Sequence, residues 1–106
     1  MAIRTYNKLV RDNIPAIIEA TGAVCETAIL SDADYLSLLD AKLDEELTEY
    51  RQDRNIEELA DLMEVIYACA KAGGYTPAEL EAVRAEKACK RGGFDRKILL
   101  KTVTED

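Results

Sequence analysis

Two pairs of acidic residues are the part of this sequence best suited to chemistry. Glu46 and Glu49 form the first pair, and Glu58 and Asp61 form the second. Residues at i and i+3 lie on the same face of an α-helix, so each pair would present two carboxylates on one side of its helix. Carboxylate oxygens are the ligands that the hard cations Mg²⁺ and Mn²⁺ prefer. We therefore expect all four residues to bind a metal; the competing interpretation is an acidic helix face in contact with solvent, which is common.

The residues between the two pairs predict a helical hairpin. The intervening stretch is polar, and Asn55 is a favourable N-cap for a second helix. A turn around 53–54 would set the pairs face to face, and the two resulting contacts would lie about 4.5 Å apart along the helix axis, slightly less than one helical turn. Carboxylates this close repel one another unless a cation compensates their charge. The opposed residues would be Glu49 with Glu58, and Glu46 with Asp61.

Histidine is absent from the chain, and the three cysteines are far apart in sequence. A zinc site of the usual Cys/His type is therefore excluded. A histidine general base, or a catalytic triad that contains histidine, is excluded for the same reason. Any catalysis must come from carboxylates, lysine, arginine, tyrosine or a hard metal ion.

The net charge of −7 is distributed unevenly. Residues 40–64 hold ten acids and three bases, whereas residues 84–101 hold seven bases and two acids. A net acidic protein is a poor candidate for binding nucleic acid. An acidic and a basic region in one domain instead suit a metal-bound polyphosphate, although two solvated helix faces would give the same pattern.

Helix start and stop signals predict four helices around the acidic pairs. The composition is that of a folded globular chain, and its length fits one domain that spans residues 1–106. We predict an all-α, four-helix bundle-like fold, in which residues 24–30 and 97–103 are candidates for a short β-ribbon. The helices are expected to begin near Asp12–Pro15, at Ser31, at Asn55 and at Thr76–Pro77, and to end near Gly22, 53–54, Gly73 and Gly92.

The predicted third helix is apolar on nearly every face between Leu59 and Ala72. A helix of this kind is usually buried on every face. The other helices of so small a domain cannot cover all of its faces alone. We therefore expect a homodimer or homotetramer. No apolar run is long enough to span a membrane, and the first residues lack the apolar region of a signal peptide, so we expect no membrane partner and a cytoplasmic location.

The acidic motifs resemble those of a known enzyme family. Glu45-Glu46-x-x-Glu49 followed by Glu58-x-x-Asp61 is similar to the EExxE…ExxD signature of the MazG-like, all-α nucleoside triphosphate pyrophosphohydrolases. Two terminal segments, Tyr6–Asp12 and Glu86–Phe94, resemble a small MazG-like subgroup, so that the resemblance covers essentially the whole chain.

The resemblance implies Mg²⁺-dependent cleavage of a nucleoside triphosphate into a monophosphate and pyrophosphate, with a role in clearing non-canonical nucleotides. Mn²⁺ is an alternative cofactor. The carboxylates that act in catalysis would be Glu45, Glu46 and Glu49, and either Glu45 or Glu49 would orient the attacking water. The metal ligands would be Glu46, Glu49, Glu58 and Asp61, and Lys87 and Arg91 would match the family's basic pair, which contacts phosphate. We also expect Lys90, close to this pair, and the N-terminal residues Asn7, Lys8 and Arg11 to bind the substrate.

One feature departs from the family pattern. Only eight residues separate Glu49 from Glu58, and in most relatives the interval is longer, so there is little room here for a loop that covers the substrate. Two other functions fit the same sequence. One is a non-catalytic helical dimerisation module with a structural metal site, and the other is a phosphoribosyl-ATP pyrophosphohydrolase.

Overall fold

The computed structural model describes residues 2–105, which contain four helices and no strand. The predicted all-α fold is therefore confirmed, and α2 and α3 pack against each other as in a helical bundle. None of the helices in this range combines the length and the apolar character needed to cross a membrane. The helices are α1 (Ile14–Glu19), α2 (Asp32–Asp53), α3 (Ile56–Ala72) and α4 (Pro77–Arg91).

Three polar side chains cap the three long helices at the predicted positions. The Ser31 hydroxyl accepts a hydrogen bond from a backbone N–H of the first turn of α2, and the Asn55 side chain accepts one from the Glu58 N–H (2.9 Å) in α3. Thr76 forms a complete capping box with Glu79 at the start of α4. These bonds satisfy N–H groups that have no partner within the helix, which explains why the helices begin where they do.

The connection between α2 and α3 is two residues long. Arg54 adopts a left-handed conformation (φ 54°), and its backbone N–H donates to the carbonyl of Tyr50 (2.7 Å). The Arg54 guanidinium lies over the Tyr50 ring, with 5.1 Å between its carbon and the ring centroid. So short a connection makes the two helices antiparallel neighbours, as the predicted hairpin requires.

The core of this hairpin is small. Leu39 of α2 and Val65 of α3 are its buried apolar residues, and Glu46 is buried beside them. The chain is elongated, with extents of 69 × 31 × 24 Å and a radius of gyration of 18.7 Å; a compact domain of this length would have a radius of gyration of about 13 Å. Much of the apolar surface is therefore left uncovered in the single chain.

The predicted β-ribbon is wrong. Residues 24–30 and 97–103 have no strand pairing in the described part of the chain, and Val24, Ile29 and Leu99 are exposed. Two paired strands without a third strand or a helix to cover them are marginally stable in water. Short segments rich in β-branched and other apolar residues were therefore insufficient to predict a ribbon, because both segments are largely exposed and do not pack on the hairpin.

One side of α3 is exposed in the single chain, although we expected this helix to be buried all round. Val65 is its buried residue, whereas four large apolar side chains form an exposed apolar row. The spacing of this row follows one stripe of the helix. Association with a second subunit stays a prediction. The exposed apolar row consists of Ile56, Leu59, Met63 and Ile66.

Candidate metal centre

The α2–α3 hairpin brings three carboxylates together. Glu46 of α2 and Glu58 and Asp61 of α3 each offer one oxygen, and these atoms all lie within 4.8 Å of one another. Glu46 is only 6% exposed, and the other two residues are half-buried. We call this group the carboxylate cluster. Its geometry follows from the short turn, which sets the register between the helices, and from the i, i+3 spacing of the two α3 residues.

Glu49, the fourth predicted ligand, is not part of this three-oxygen group. It is half-buried on α2 and lies close enough to Glu46 and Glu58 to influence the pKa of both. The structure therefore places Glu49 beside the carboxylate cluster.

Two oxygens of the carboxylate cluster lack a hydrogen-bond partner within the described residues. They are Oε2 of Glu46 and Oε2 of Glu58, and both are shielded from solvent. Leaving a buried polar atom unpaired costs about 1–3 kcal/mol, and more for a charged group. A divalent cation with a preference for oxygen ligands would remove this cost, so the donor set fits Mg²⁺ or Mn²⁺.

Electrostatics in the carboxylate cluster also reflect an excess of negative charge. Burial raises the pKa of Glu46, and the neighbouring carboxyl of Glu49 raises it further. Loss of solvation raises the pKa of Glu58 as well, with a second contribution from the charge of Asp61. Lys42 opposes the shift at Glu46, with 3.3 Å between its Nζ and Oε1 of Glu46, but it does not cancel it. A bound cation would favour the ionised form of each group.

Lys42 was not singled out in the sequence. Its Nζ contacts Oε2 of Glu45 (3.1 Å) as well as Glu46, so it connects two of the acids predicted to be catalytic. The sequence feature that could have identified Lys42 is its i, i+4 spacing to Glu46, which places opposite charges on one helix face. Lys8 donates a second hydrogen bond to Glu45 (2.9 Å) and is the main reason why the pKa of Glu45 is lowered.

The N-terminal segment reaches the carboxylate cluster. Arg11 donates from Nη2 to Oδ1 of Asp61 (2.6 Å). Asn7 has a left-handed backbone conformation (φ 46°), which asparagine tolerates better than most residues. It lines a pocket with Lys8 and Glu45. The three predicted substrate-binding residues of this segment are thus near the predicted catalytic carboxylates.

The basic end of α4 is not near the carboxylate cluster within the described chain. Of the other helices, α4 packs only against α3 and is exposed along nearly all of its length. Lys87, Lys90 and Arg91 line neither the pocket that contains Glu46 and Asp61 nor the neighbouring pocket that contains Glu45. Lys90 instead pairs with Glu86 of its own helix (2.8 Å). The sequence identified a basic region here, but the path of α4 away from the hairpin was not predictable from local pattern.

Comparisons with known proteins add one partial match. The chain is 52% identical over 44 residues to an uncharacterized protein of Mycolicibacterium smegmatis, and the match covers 42% of this chain and 45% of that protein. The match thus spans less than half the length of this curated relative. No protein-family model matches the chain, and no solved structure matches it.

Proposed function

We propose that the protein is a MazG-like nucleoside triphosphate pyrophosphohydrolase that uses Mg²⁺, or Mn²⁺, bound by the carboxylate cluster. The observation that carries the proposal is the convergence of Glu46, Glu58 and Asp61 from two helices, with two buried oxygens left unpaired. The resemblance of the two acidic motifs to those of the family supports the same reaction. The products would be a nucleoside monophosphate and pyrophosphate, and non-canonical nucleotides would be the substrates cleared.

A bound cation supplies charge neutralisation at the phosphates and a water of lowered pKa. Among the residues of the chain, Glu49 is better suited than Glu45 to orient that water for attack on the α-phosphorus. Glu45 is held by Lys8 and Lys42, which stabilise its charge and make it a weaker proton acceptor. Glu49 lies beside the carboxylate cluster. Its side chain has no salt-bridge partner in residues 2–105.

The phosphates of the substrate would be bound by basic residues from two places. Lys8 and Arg11 already lie at the site. We propose that the basic end of α4, with Lys87, Lys90 and Arg91, completes the site from a second copy of the chain that covers the exposed apolar row. We therefore propose a homo-oligomer, a dimer or a tetramer. Its support is the amount of apolar surface on α3 that a single chain leaves in solvent.

Incubation with Mg²⁺ and a panel of canonical and modified (d)NTPs tests the proposed reaction. Equal amounts of monophosphate and pyrophosphate are expected from at least one substrate. Glu46→Gln and Asp61→Asn should abolish their release, whereas Glu57→Gln, which alters an exposed acid of the first turn of α3, should preserve it. Release that is unchanged in Glu46→Gln or Asp61→Asn would show that the site is wrongly assigned. Adding phosphoribosyl-ATP to the panel separates that substrate from free nucleotides.

A non-catalytic dimerisation module is the second candidate function, and the exposed apolar row favours it. Such a module would associate tightly and would melt at a higher temperature with Mg²⁺, yet would hydrolyse none of the nucleotides in the panel. Stabilisation by Mg²⁺ without turnover would therefore select the second candidate over the first.

A further inference from the structure

Residues 7–11 lie across the α2–α3 hairpin and contact both of its helices. Lys8 pairs with Glu45 of α2, and Arg11 pairs with Asp61 of α3. Between them, Leu9 is half-buried and lines pockets on either side of the segment. We call residues 7–11 the N-terminal strap. Its two ion pairs differ in one respect, because Asp61 belongs to the carboxylate cluster and Glu45 does not.

The position of Arg11 conflicts with that of a cation. Its Nη2 lies 2.6 Å from Oδ1 of Asp61, and Mg²⁺ would bind carboxylate oxygens at about 2.0–2.1 Å. Two positive groups so close to one carboxylate repel each other, and a cation that is shared with Glu46 and Glu58 gains more contacts than Arg11 does. The side chains of Arg11 and Asp61 are 54% and 40% exposed. Exposed ion pairs are weak, so displacing Arg11 is inexpensive.

We propose that Arg11 and the divalent cation compete for Asp61, so that cation binding releases the Arg11 guanidinium to bind the substrate's phosphates. The proposal rests on the proposed function, because it takes the carboxylate cluster to be a cation site and a polyphosphate to be the ligand. The Lys8–Glu45 pair and the half-buried Leu9 are untouched by the exchange and keep the N-terminal strap on the hairpin. A guanidinium is well shaped for phosphate, to which it donates two parallel hydrogen bonds.

Calorimetric titration with Mn²⁺ tests the competition without relying on activity. Arg11→Gln should bind Mn²⁺ about two- to fivefold more tightly than wild type, which is the range expected for an exposed ion pair. Lys8→Gln removes the same charge from the same segment but frees a carboxylate outside the carboxylate cluster, so its effect should be smaller. An Arg11→Gln affinity equal to or weaker than that of wild type would overturn the proposal.

A double-variant cycle separates direct competition from a general effect of charge. In the Asp61→Asn background, Arg11→Gln should leave the weakened Mn²⁺ affinity unchanged, because the contested carboxylate is gone. If the same gain persisted in that background, Arg11 would act at a distance and the competition would be refuted. Wild-type protein that binds no Mn²⁺ would overturn both this proposal and the proposed function. Wild-type binding with unchanged Arg11→Gln affinity would overturn this proposal alone.

NMR of the arginine side chains provides a second readout on wild-type protein. The Arg11 signal is identified by its loss in Arg11→Gln. It should shift when Mg²⁺ is added and shift again when inorganic triphosphate follows. The signal of Arg84, which pairs with Glu81 of its own helix α4, should stay constant. An Arg11 signal that is unaffected by saturating Mg²⁺ would contradict release of the guanidinium.

Discussion

Glu46 is the residue on which the proposed chemistry depends most. It is the buried charged side chain of the described chain, and Lys42 compensates only one of its two oxygens. An acid on the packed face of a helix is unfavourable unless something neutralises its charge. The sequence indicated this position, because Glu46 lies at helical spacing from apolar neighbours. It did not indicate that Glu49, at the same i, i+3 spacing, would lie outside the three-oxygen group.

In metal-free protein, Glu46→Gln should increase stability at pH 8 and have little effect near pH 4. The folded-state pKa of Glu46 is raised above its ordinary value of 4.5, so the stability provided by the neutral acid is lost as pH rises through that pKa. Glutamine stays neutral throughout. The gain at pH 8 comes from replacing a buried charge with a neutral side chain, and it is measured by urea unfolding in the presence of a chelator. A loss of stability at pH 8 would contradict this account of Glu46, and Glu57→Gln provides the exposed control.

Glu49→Gln and Glu45→Gln form a matched pair that tests which acid orients the water. Glu49→Gln should lower kcat by about 10²–10⁴-fold, the usual contribution of a positioned general base, and should change Mn²⁺ affinity little. Glu45→Gln should have the smaller effect on kcat, since its charge is already held by two lysines. The reverse order of the two kcat values would assign the role to Glu45.

At the scale of elements, the local signals in the sequence were sufficient to predict where the three long helices begin. Ser31, Asn55 and Thr76 cap helices at the predicted positions, because a cap depends on hydrogen bonds to residues only three positions away. The hairpin was predictable for a related reason, since a short turn between two helices leaves one arrangement. The β-ribbon was not, because pairing between 24–30 and 97–103 depends on whether a third element covers them.

Asn55→Ala should weaken cation binding as well as stability. The Asn55 side chain accepts a hydrogen bond from the backbone N–H of Glu58. Loss of this hydrogen bond would fray the first turn of α3, which carries Glu58 of the carboxylate cluster. Thr76→Ala removes an equivalent cap from α4, away from the carboxylate cluster. Both variants should lose about 1 kcal/mol of unfolding free energy. Mn²⁺ affinity should fall only in Asn55→Ala, and an equal fall in Thr76→Ala would mean that global stability controls binding.

The molecule as a whole exposes more apolar surface than a stable monomer of this length would. Its long axis of 69 Å and its few buried residues leave the exposed apolar row in solvent. The sequence predicted that α3 is buried against other protein surfaces, because apolar residues occur on nearly every face of the helix. The direction of α4 could not be predicted, because it depends on long-range packing, and for that reason the predicted meeting of basic and acidic regions does not occur within the described chain.

Sedimentation at micromolar concentration should show an oligomer for wild type and a monomer for Met63→Glu. A glutamate in the centre of the exposed apolar row would bury an unpaired charge in the proposed interface. Ser37→Glu introduces the same charge at an exposed position of α2, on a different helix from the exposed apolar row, and should leave the oligomer intact. A monomeric wild type would refute self-association.

Hydrolysis in ¹⁸O-labelled water tests the central claim most directly. With Mg²⁺ and a nucleoside triphosphate that the protein hydrolyses, attack at the α-phosphorus breaks the bond to the bridging oxygen, which leaves with pyrophosphate. The account predicts one labelled oxygen in the monophosphate and none in the pyrophosphate, measured by mass spectrometry. Label in the pyrophosphate or in inorganic phosphate would contradict it, as would the absence of turnover by protein that binds Mn²⁺.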